Sequence, residues 1–224
     1  MKTPINTEQQ TTLKADLDAR RISWEAKAPE AIKTIYQEGV LAVEQGGTTR
    51  KALQPGHKAI DFILSNANGN TVHLYEVLKQ GPVVLTWYRG GWCPYCNITL
   101  RHLQQHLPDF KKAGANLIAL TPELPDNSLS TQEKNQLQFE VLSDINNEVA
   151  RKYGIVFKLT DEVADTYRQS FSLEAYNGND NNELPLAATY VIDREGIIRY
   201  AFLDAEYRNR AEPGDILDVL KALK

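Results

Sequence analysis

The two cysteines of this 224-residue chain lie three positions apart in Trp92-Cys93-Pro94-Tyr95-Cys96, directly after the apolar run 83–88. If a strand leads through this motif into a helix, the first cysteine lies at the helix N-terminus, where unpaired backbone N–H groups and the helix dipole favour an anion. A thiolate is such an anion, so Cys93 is predicted to be a usable nucleophile near neutral pH. The spacing also allows a disulfide between Cys93 and Cys96, and we interpret the pair as a redox-active dithiol.

A purely structural role for the two cysteines is less favoured. A structural zinc site needs roughly four ligands, and the sequence has no second cysteine cluster. His102 and His106 lie four positions apart on one predicted helix but lack the intervening Glu of the metalloprotease motif, so we assign them to a solvated helix face and predict no metal. A static disulfide is also disfavoured, because closing so short a loop removes little entropy from the unfolded chain.

Composition indicates a well-packed domain with an extension. The chain is 42% hydrophobic and 24% charged, with a formal net charge of −4, and nothing in this balance favours nucleic acid as a partner. The first residues lack the basic-then-apolar pattern of a signal peptide, and no segment approaches the roughly 18 apolar residues of a membrane span. We therefore expect a cytoplasmic location, where a vicinal dithiol is more often catalytic than structural.

Residues 7–45 have a helical pattern. Apolar side chains recur there at three- and four-residue spacings between charged ones, and Pro29 is expected to begin a second helix. These apolar residues are too numerous for a solvated tail, so we expect the segment to pack on the domain or on a neighbouring subunit. Gly46-Gly47-Thr48-Thr49 is interpreted as a linker. The predicted division is an N-terminal helical extension, residues 1–50, and a second domain, residues 51–224.

The rest of the chain alternates between strand and helix patterns. One helix carries Cys96 on the same apolar stripe as Leu100 and Leu103. The turn Asn68-Gly69-Asn70 is typical of a hairpin, and residues 177–182 are expected to form a loop. This order predicts an α/β fold with a mixed central β-sheet covered by helices on both faces. The predicted strands are 59–64, 71–74, 83–88, 116–121, 139–144, 189–193 and 197–202; the further helices are 128–138, 147–153, 161–171 and 213–223.

Strand order, together with Trp-Cys-x-x-Cys at the end of the first buried strand, resembles a thioredoxin fold. The segments 55–62, 83–85 and 191–199 are similar to the alkyl hydroperoxide reductase/thiol-specific antioxidant superfamily, the peroxiredoxins, and the similarity covers about residues 53–223. Within that superfamily the chain resembles the peroxiredoxin-like branch that carries Cys-x-x-Cys. The resemblance implies a thioredoxin-like fold and a thiol-dependent antioxidant oxidoreductase, with Cys93 and Cys96 as the catalytic pair and no cofactor.

The chain departs from the peroxiredoxin pattern of a Pro, a Thr and a distant Arg around the peroxidatic cysteine. If Cys96 takes that position, Arg89 stands in place of the Pro and Cys93 in place of the Thr. Ala187 or Ala188 fills the place of the distant Arg, and also the place where thioredoxin-fold oxidoreductases have a cis-Pro. In the family those groups stabilise charge developing on the peroxide. Arg89, with Trp92, is the candidate substrate-binding residue; an Arg exposed in a loop is an equal alternative.

Three functions remain open from the sequence. The leading hypothesis is reduction of a hydroperoxide by the dithiol, which a thioredoxin-like or other external dithiol regenerates because the chain has no further cysteine. A thioredoxin-like disulfide reductase without peroxidase activity is the first alternative. A redox-sensing or binding module is the second. The sequence also leaves open that the protein forms a homodimer.

The order of attack depends on where each cysteine lies in the helix. Cys93 precedes the helix and is expected to be the more exposed thiol, with backbone N–H groups pointing at it. Cys96 lies one turn inside, where burial raises a thiol pKa and hides the sulfur from substrates. We therefore predict that Cys93 attacks first, although alignment with the peroxiredoxins favours Cys96.

Overall fold

The apolar run before the dithiol is the central strand of a five-stranded mixed sheet. The computed structural model describes residues 11–223. The sheet has the order β5-β4-β3-β8-β9, in which β3, β4 and β5 are parallel, β8 is antiparallel to β3, and β9 is antiparallel to β8. Its strands are β3 (Val83–Trp87), β4 (Asn116–Thr121), β5 (Glu140–Ser143), β8 (Thr189–Ile192) and β9 (Ile198–Phe202).

Two smaller sheets flank this one. The hairpin of β1 (Ile63–Ser65) and β2 (Thr71–His73) turns at Gly69, whose φ of +80° suits a residue without a side chain. The other pairs β6 (Val156–Lys158) with β7 (Glu183–Pro185). The helices are α1 (Leu13–Glu25), α2 (Glu30–Gly46), α3 (Thr48–Lys51), α4 (Leu74–Gln80), α5 (Pro94–Lys112), α6 (Pro125–Lys134), α7 (Glu148–Lys152), α8 (Asp161–Ser170), α9 (Leu173–Asn177) and α10 (Pro213–Ala222).

Alternation along the buried strands produces two cores. Val84 faces the helices α1, α5 and α10, whereas its neighbours Val83 and Leu85 face α4, α7 and the segment around Tyr153. All three side chains are fully buried, as expected for a sheet covered on both sides. The predicted α/β architecture with helices on both faces is therefore confirmed.

The N-terminal helices pack on the rest of the chain. Leu13 and Leu17 of α1 are buried in the core beneath α5, and α2 packs against α8. Helix α2 begins directly after Pro29, as predicted. Residues 7–10 of the predicted helical segment lie outside the described residues, and the boundary at residue 50 stays a prediction.

Several sequence interpretations were wrong in detail. The predicted linker is partly helical, because Gly47 (φ +70°) ends α2 and α3 follows at once. Helix α4 was not predicted, nor was α9 or the pairing of β6 with β7, because these elements are too short to show a period. His102 is not on a solvated face: it is buried, and its Nε2 lies 2.7 Å from Asp16 Oδ2 of α1.

We expect Leu13→Ala to destabilise the protein by about 3 kcal/mol, since the side chain is 1% exposed and its removal leaves a cavity. Ile22→Ala on the same helix is the control, because Ile22 is 63% exposed and its truncation should cost less than about 0.5 kcal/mol. Urea unfolding followed by circular dichroism measures both values. Equal stabilities for the two variants would show that α1 does not contribute to the core.

None of the helices between residues 11 and 223 combines the length and apolar character needed to cross a bilayer.

Candidate active site

The dithiol lies at the junction of β3 and α5. Cys93 is the N-cap residue of α5, with extended backbone angles (φ −86°, ψ 115°), and Pro94 occupies the first helical position. Proline is favoured there because the N–H it lacks has no partner within the helix. Cys96 therefore falls in the first turn, where the free N–H groups and the helix dipole favour a negative charge.

Both sulfurs are hidden from solvent. Cys93 and Cys96 are each 1% exposed, so the predicted difference in exposure is wrong. The N-cap position does not expose Cys93, because residues after β9 fold back over the start of α5 and place Tyr207 against Tyr95, with ring centroids 5.7 Å apart. The choice of nucleophile must rest on charge and hydrogen bonding instead.

Arg210 supplies a positive charge to the dithiol from the segment between β9 and α10. Its Nη2 lies 3.5 Å from Cys96 Sγ, and its Nη1 donates to the carbonyls of Tyr207 and Asn209. Ala187 and Ala188, which stand where the family has its distant Arg, are buried and carry no charge. Sequence reasoning missed Arg210, because the irregular segment around it has no motif and lies more than 110 positions from Cys96.

The surroundings shift the pKa values of the two thiols in opposite directions. Burial alone raises the pKa of Cys96, but a hydrogen bond from the Cys93 thiol and the charges of Arg210 and Arg89 outweigh it and hold that pKa well below its usual range. The pKa of Cys93 is raised, first by its hydrogen bond to Cys96 and then by burial. The arrangement is therefore a Cys96 thiolate that accepts a hydrogen bond from a protonated Cys93.

Arg89 is buried rather than exposed in a loop, at 3% exposure. Its Nη2 donates to the Tyr167 hydroxyl, and its guanidinium lies 4.5 Å from the ring centre of Tyr207 and 5.1 Å from that of Trp92. Trp92 is only partly buried and stacks on Phe171 at 4.7 Å. The fold thus brings both predicted substrate-binding residues to the dithiol; that they bind substrate stays a prediction.

A buried carboxyl group holds the turn before the dithiol. Glu123, which follows β4 and is 0% exposed, accepts a hydrogen bond of 2.9 Å from Gly91 N, while Asn97 Nδ2 donates to Gly91 O at 2.7 Å. A Cβ at Gly91 would collide with the Thr131 hydroxyl, so only glycine fits. Sequence reasoning missed Glu123; its place just beyond the end of a buried parallel strand was the available signal.

Burial raises the pKa of Glu123 to about 7. Because a free Glu titrates near pH 4.3, the unfolded chain loses this proton first as the pH rises, and the group's contribution to stability falls between about pH 4 and pH 7. Glu123→Gln keeps an oxygen for Gly91 but does not titrate. Urea unfolding should show the variant gaining about 2 kcal/mol relative to the parent between pH 5 and pH 8. A constant difference would contradict the raised pKa.

Comparison with known proteins agrees with this geometry. The model of the AhpC/TSA family matches residues 55–201. The chain belongs to the AhpC/TSA family. Among similar proteins of this family, the chloroplastic peroxiredoxin Q of Oryza sativa subsp. japonica is 27% identical over 172 residues, which are 75% of this chain and 67% of that protein. Peroxiredoxin Bcp of Escherichia coli (strain K12) is 26% identical over 157 residues, 70% of this chain and 90% of the relative.

Solved structures show the same fold. Peroxidoxin BcpB from Mycobacterium tuberculosis has a TM-score of 0.61 at 19% identity, covering 77% of this chain and 99% of that one. A structure of Xanthomonas campestris peroxiredoxin Q has a TM-score of 0.58 at 18% identity, covering 77% and 98%. The peroxiredoxin-like thioredoxin fold is confirmed. The extension before residue 55 lies outside the family match.

Proposed function

We propose that this chain is a thiol-dependent peroxidase in which Cys96 is the nucleophile. The observation that carries the proposal is the position of the buried Arg210 guanidinium, whose Nη2 lies 3.5 Å from Cys96 Sγ; together with the hydrogen bond from Cys93 it holds the pKa of Cys96 low. Family membership and the similarity to peroxiredoxins support the reaction type. This placement favours attack by Cys96, which is also the residue that the peroxiredoxin alignment assigns, over attack by Cys93.

The first step transfers one oxygen atom. The Cys96 thiolate attacks the terminal, hydrogen-bearing oxygen of a hydroperoxide, the O–O bond breaks, and the leaving alkoxide or hydroxide takes a proton from solvent to become an alcohol or water. Sulfur is oxidised to a sulfenic acid as the peroxide is reduced. The charges of Arg210 and Arg89 stabilise the thiolate before the attack and the negative charge that develops on the leaving oxygen.

The second step uses Cys93. Its thiol attacks the Cys96 sulfenic acid, a disulfide forms, and the thiol proton leaves with the hydroxyl as water. No other cysteine exists in the chain, so an external dithiol must reduce the disulfide and become oxidised itself. A thioredoxin-like protein fits this role. Because both sulfurs are buried, residues 203–212 must move to admit such a partner.

The same burial disfavours the alternative of a disulfide reductase. A hydroperoxide has two small oxygen atoms and needs only a small opening above sulfurs that are 1% exposed, whereas a protein disulfide as substrate needs the larger movement of residues 203–212 before the first step. A redox-sensing module would be oxidised at the same dithiol as the enzyme, but it would turn over slowly. A cytoplasmic location and a homodimer stay predictions.

A coupled assay tests the proposal. Hydrogen peroxide or an alkyl hydroperoxide is supplied with thioredoxin, thioredoxin reductase and NADPH, and peroxide consumption is followed together with NADPH oxidation. Many turnovers per chain with a peroxide support the enzyme. Stoichiometric oxidation without turnover supports the sensor, and turnover with a small disulfide alone supports the reductase.

We expect the dithiol to form a reversible intramolecular disulfide, because the N-cap and first-turn positions bring the two sulfurs into hydrogen-bond contact. Thiol counting after denaturation should give two free thiols per chain under reductant and none after one equivalent of peroxide. Electrophoresis without reductant checks that no covalent dimer has formed. Thiols that persist after peroxide would count against Cys93 as the resolving residue.

A further inference from the structure

The covering segment, residues 203–212, is held together by hydrogen bonds among its own residues. Asp204 accepts from Glu206 N at 2.8 Å and from Asn209 Nδ2 at 2.9 Å. Arg210 Nη1 donates to the Asn209 carbonyl at 2.7 Å. We therefore expect the segment to move as one unit, so that uncovering the dithiol also withdraws the Arg210 guanidinium from it.

Two polar contacts join the covering segment to α1, the first helix of the N-terminal extension. The Glu212 carboxylate accepts a hydrogen bond of 2.6 Å from Lys14 N, in the first turn of the helix. At the other end of α1, the Arg208 guanidinium lies 3.8 Å from the Glu25 carboxylate, whose side chain is 47% exposed. An exposed ion pair at that distance contributes little, so Glu212 makes the stronger contact.

The start of α1 suits a carboxylate for a physical reason. The first N–H groups of a helix have no partner within it, and the helix dipole places partial positive charge there. The Thr12 side chain accepts from Ala15 N at 3.2 Å, and Glu212 accepts from Lys14 N. The covering segment thus supplies one of the two side-chain caps of α1, and that cap carries a full negative charge.

A groove separates α1 from the covering segment between these two contacts. Lys14, Leu17 and Asp18 of the helix line one side, and Asp204 and Arg210 are among the residues that line the other. Because the two surfaces do not pack continuously along the groove, the contacts at its ends hold the segment against the helix.

We propose that α1 latches the covering segment through Glu212, so that the N-terminal extension controls how often the dithiol opens to a large partner. Glu212 is then a positioning residue for the segment that carries Arg210. The extension lies outside the family match, so the latch is not part of the region shared with the family. The inference rests on the proposed function only where it names that partner, an external dithiol.

A thiol reagent too large to reach the sulfurs in the closed form measures the opening. The reduced protein is treated with dithiobis(nitrobenzoate); a labelling rate proportional to reagent concentration shows that reclosing is faster than labelling, so the rate follows the opening equilibrium. We expect Glu212→Lys to label about tenfold faster than the parent, since lysine removes the acceptor and repels the helix dipole. Glu212→Gln keeps an acceptor oxygen without the charge and should label about threefold faster.

Two further variants separate the latch from a general loss of stability, and urea unfolding checks that each variant is folded. Asp215→Lys makes the same change of charge three residues away, at an exposed position in the first turn of α10, and should label at the parent rate. Lys14 and Glu212 line the same groove, so Lys14→Glu combined with Glu212→Lys restores an opposite-charge pair and should recover most of the slow labelling. Equal labelling in the parent and Glu212→Lys, or equal acceleration in Asp215→Lys, would overturn the proposal.

The reductive reaction tests the consequence for a protein partner. With the disulfide formed by diamide, thioredoxin should reduce Glu212→Lys about tenfold faster than the parent, in step with the labelling rates. Faster labelling and faster reduction, with no peroxide turnover in any variant, would keep the latch and refute the peroxidase. Peroxide turnover in the parent, with Glu212→Lys labelled no faster, would keep the peroxidase and refute the latch.

Discussion

Cys96→Ser should abolish peroxide reduction, whereas Cys93→Ser should still react once and then stop as a sulfenic acid. The expected loss in Cys96→Ser is about 10³-fold or more, because the thiolate is the nucleophile and a serine hydroxyl stays protonated. In Cys93→Ser the first step survives and resolution does not. The serine hydroxyl can donate the hydrogen bond that the Cys93 thiol gives to Cys96, so the first step should keep a rate close to that of the parent.

Stopped-flow fluorescence with hydrogen peroxide measures the first step, and a sulfenate-specific diketone followed by mass spectrometry identifies its product. The diketone should label Cys96 in Cys93→Ser and nothing in Cys96→Ser. The opposite labelling, with Cys93 trapped and Cys96 inert, would restore the order predicted from the sequence. The double variant is the blank for both measurements.

Arg210→Gln is the second change with a large expected effect. Loss of the guanidinium 3.5 Å from the sulfur raises the pKa of Cys96, so less thiolate exists at neutral pH and the rising limb of the pH–rate profile moves to higher pH. The rate with hydrogen peroxide at pH 7 should fall by about 10²-fold, as for removal of one preorganised donor. Arg210→Lys keeps a charge and should recover part of this loss.

Arg208→Gln is the matched control for the same loop. Its guanidinium pairs with Glu206 and lies over the Tyr207 ring, and it does not contact either sulfur. Thiolate absorbance at 240 nm, followed against pH in Cys93→Ser, locates the Cys96 titration for each arginine variant. If Arg208→Gln and Arg210→Gln shift it equally, the loop conformation and not the Arg210 charge controls the thiol.

The sequence predicted those parts of the fold that repeat a pattern. Long buried strands and amphipathic helices such as α5 are visible because their apolar spacing reflects which face each residue covers. The motif around Cys93 located the catalytic centre for a similar reason, since a strand, a turn and a helix start are adjacent in sequence. The resemblance to the peroxiredoxins then supplied the topology.

What the sequence did not predict depends on contacts between distant segments. Arg210 reaches Cys96 across 114 positions and Glu123 reaches Gly91 across 32, and neither contact has a local signature. The exposure of Cys93 was misjudged because an N-cap position says nothing about which loop covers it. His102 was assigned to solvent for the same reason, since the covering residue Asp16 lies 86 positions earlier.

Burial of both sulfurs has a practical consequence for anyone who measures this protein. A bulky alkylating reagent cannot reach Cys93 or Cys96 in the closed form, so labelling must wait for the covering segment to open. When reclosing is faster than labelling, the observed rate reports the equilibrium of opening; when labelling is faster, it reports the opening rate itself. The rates at which two reagents of different size label the cysteines would therefore report the motion of residues 203–212.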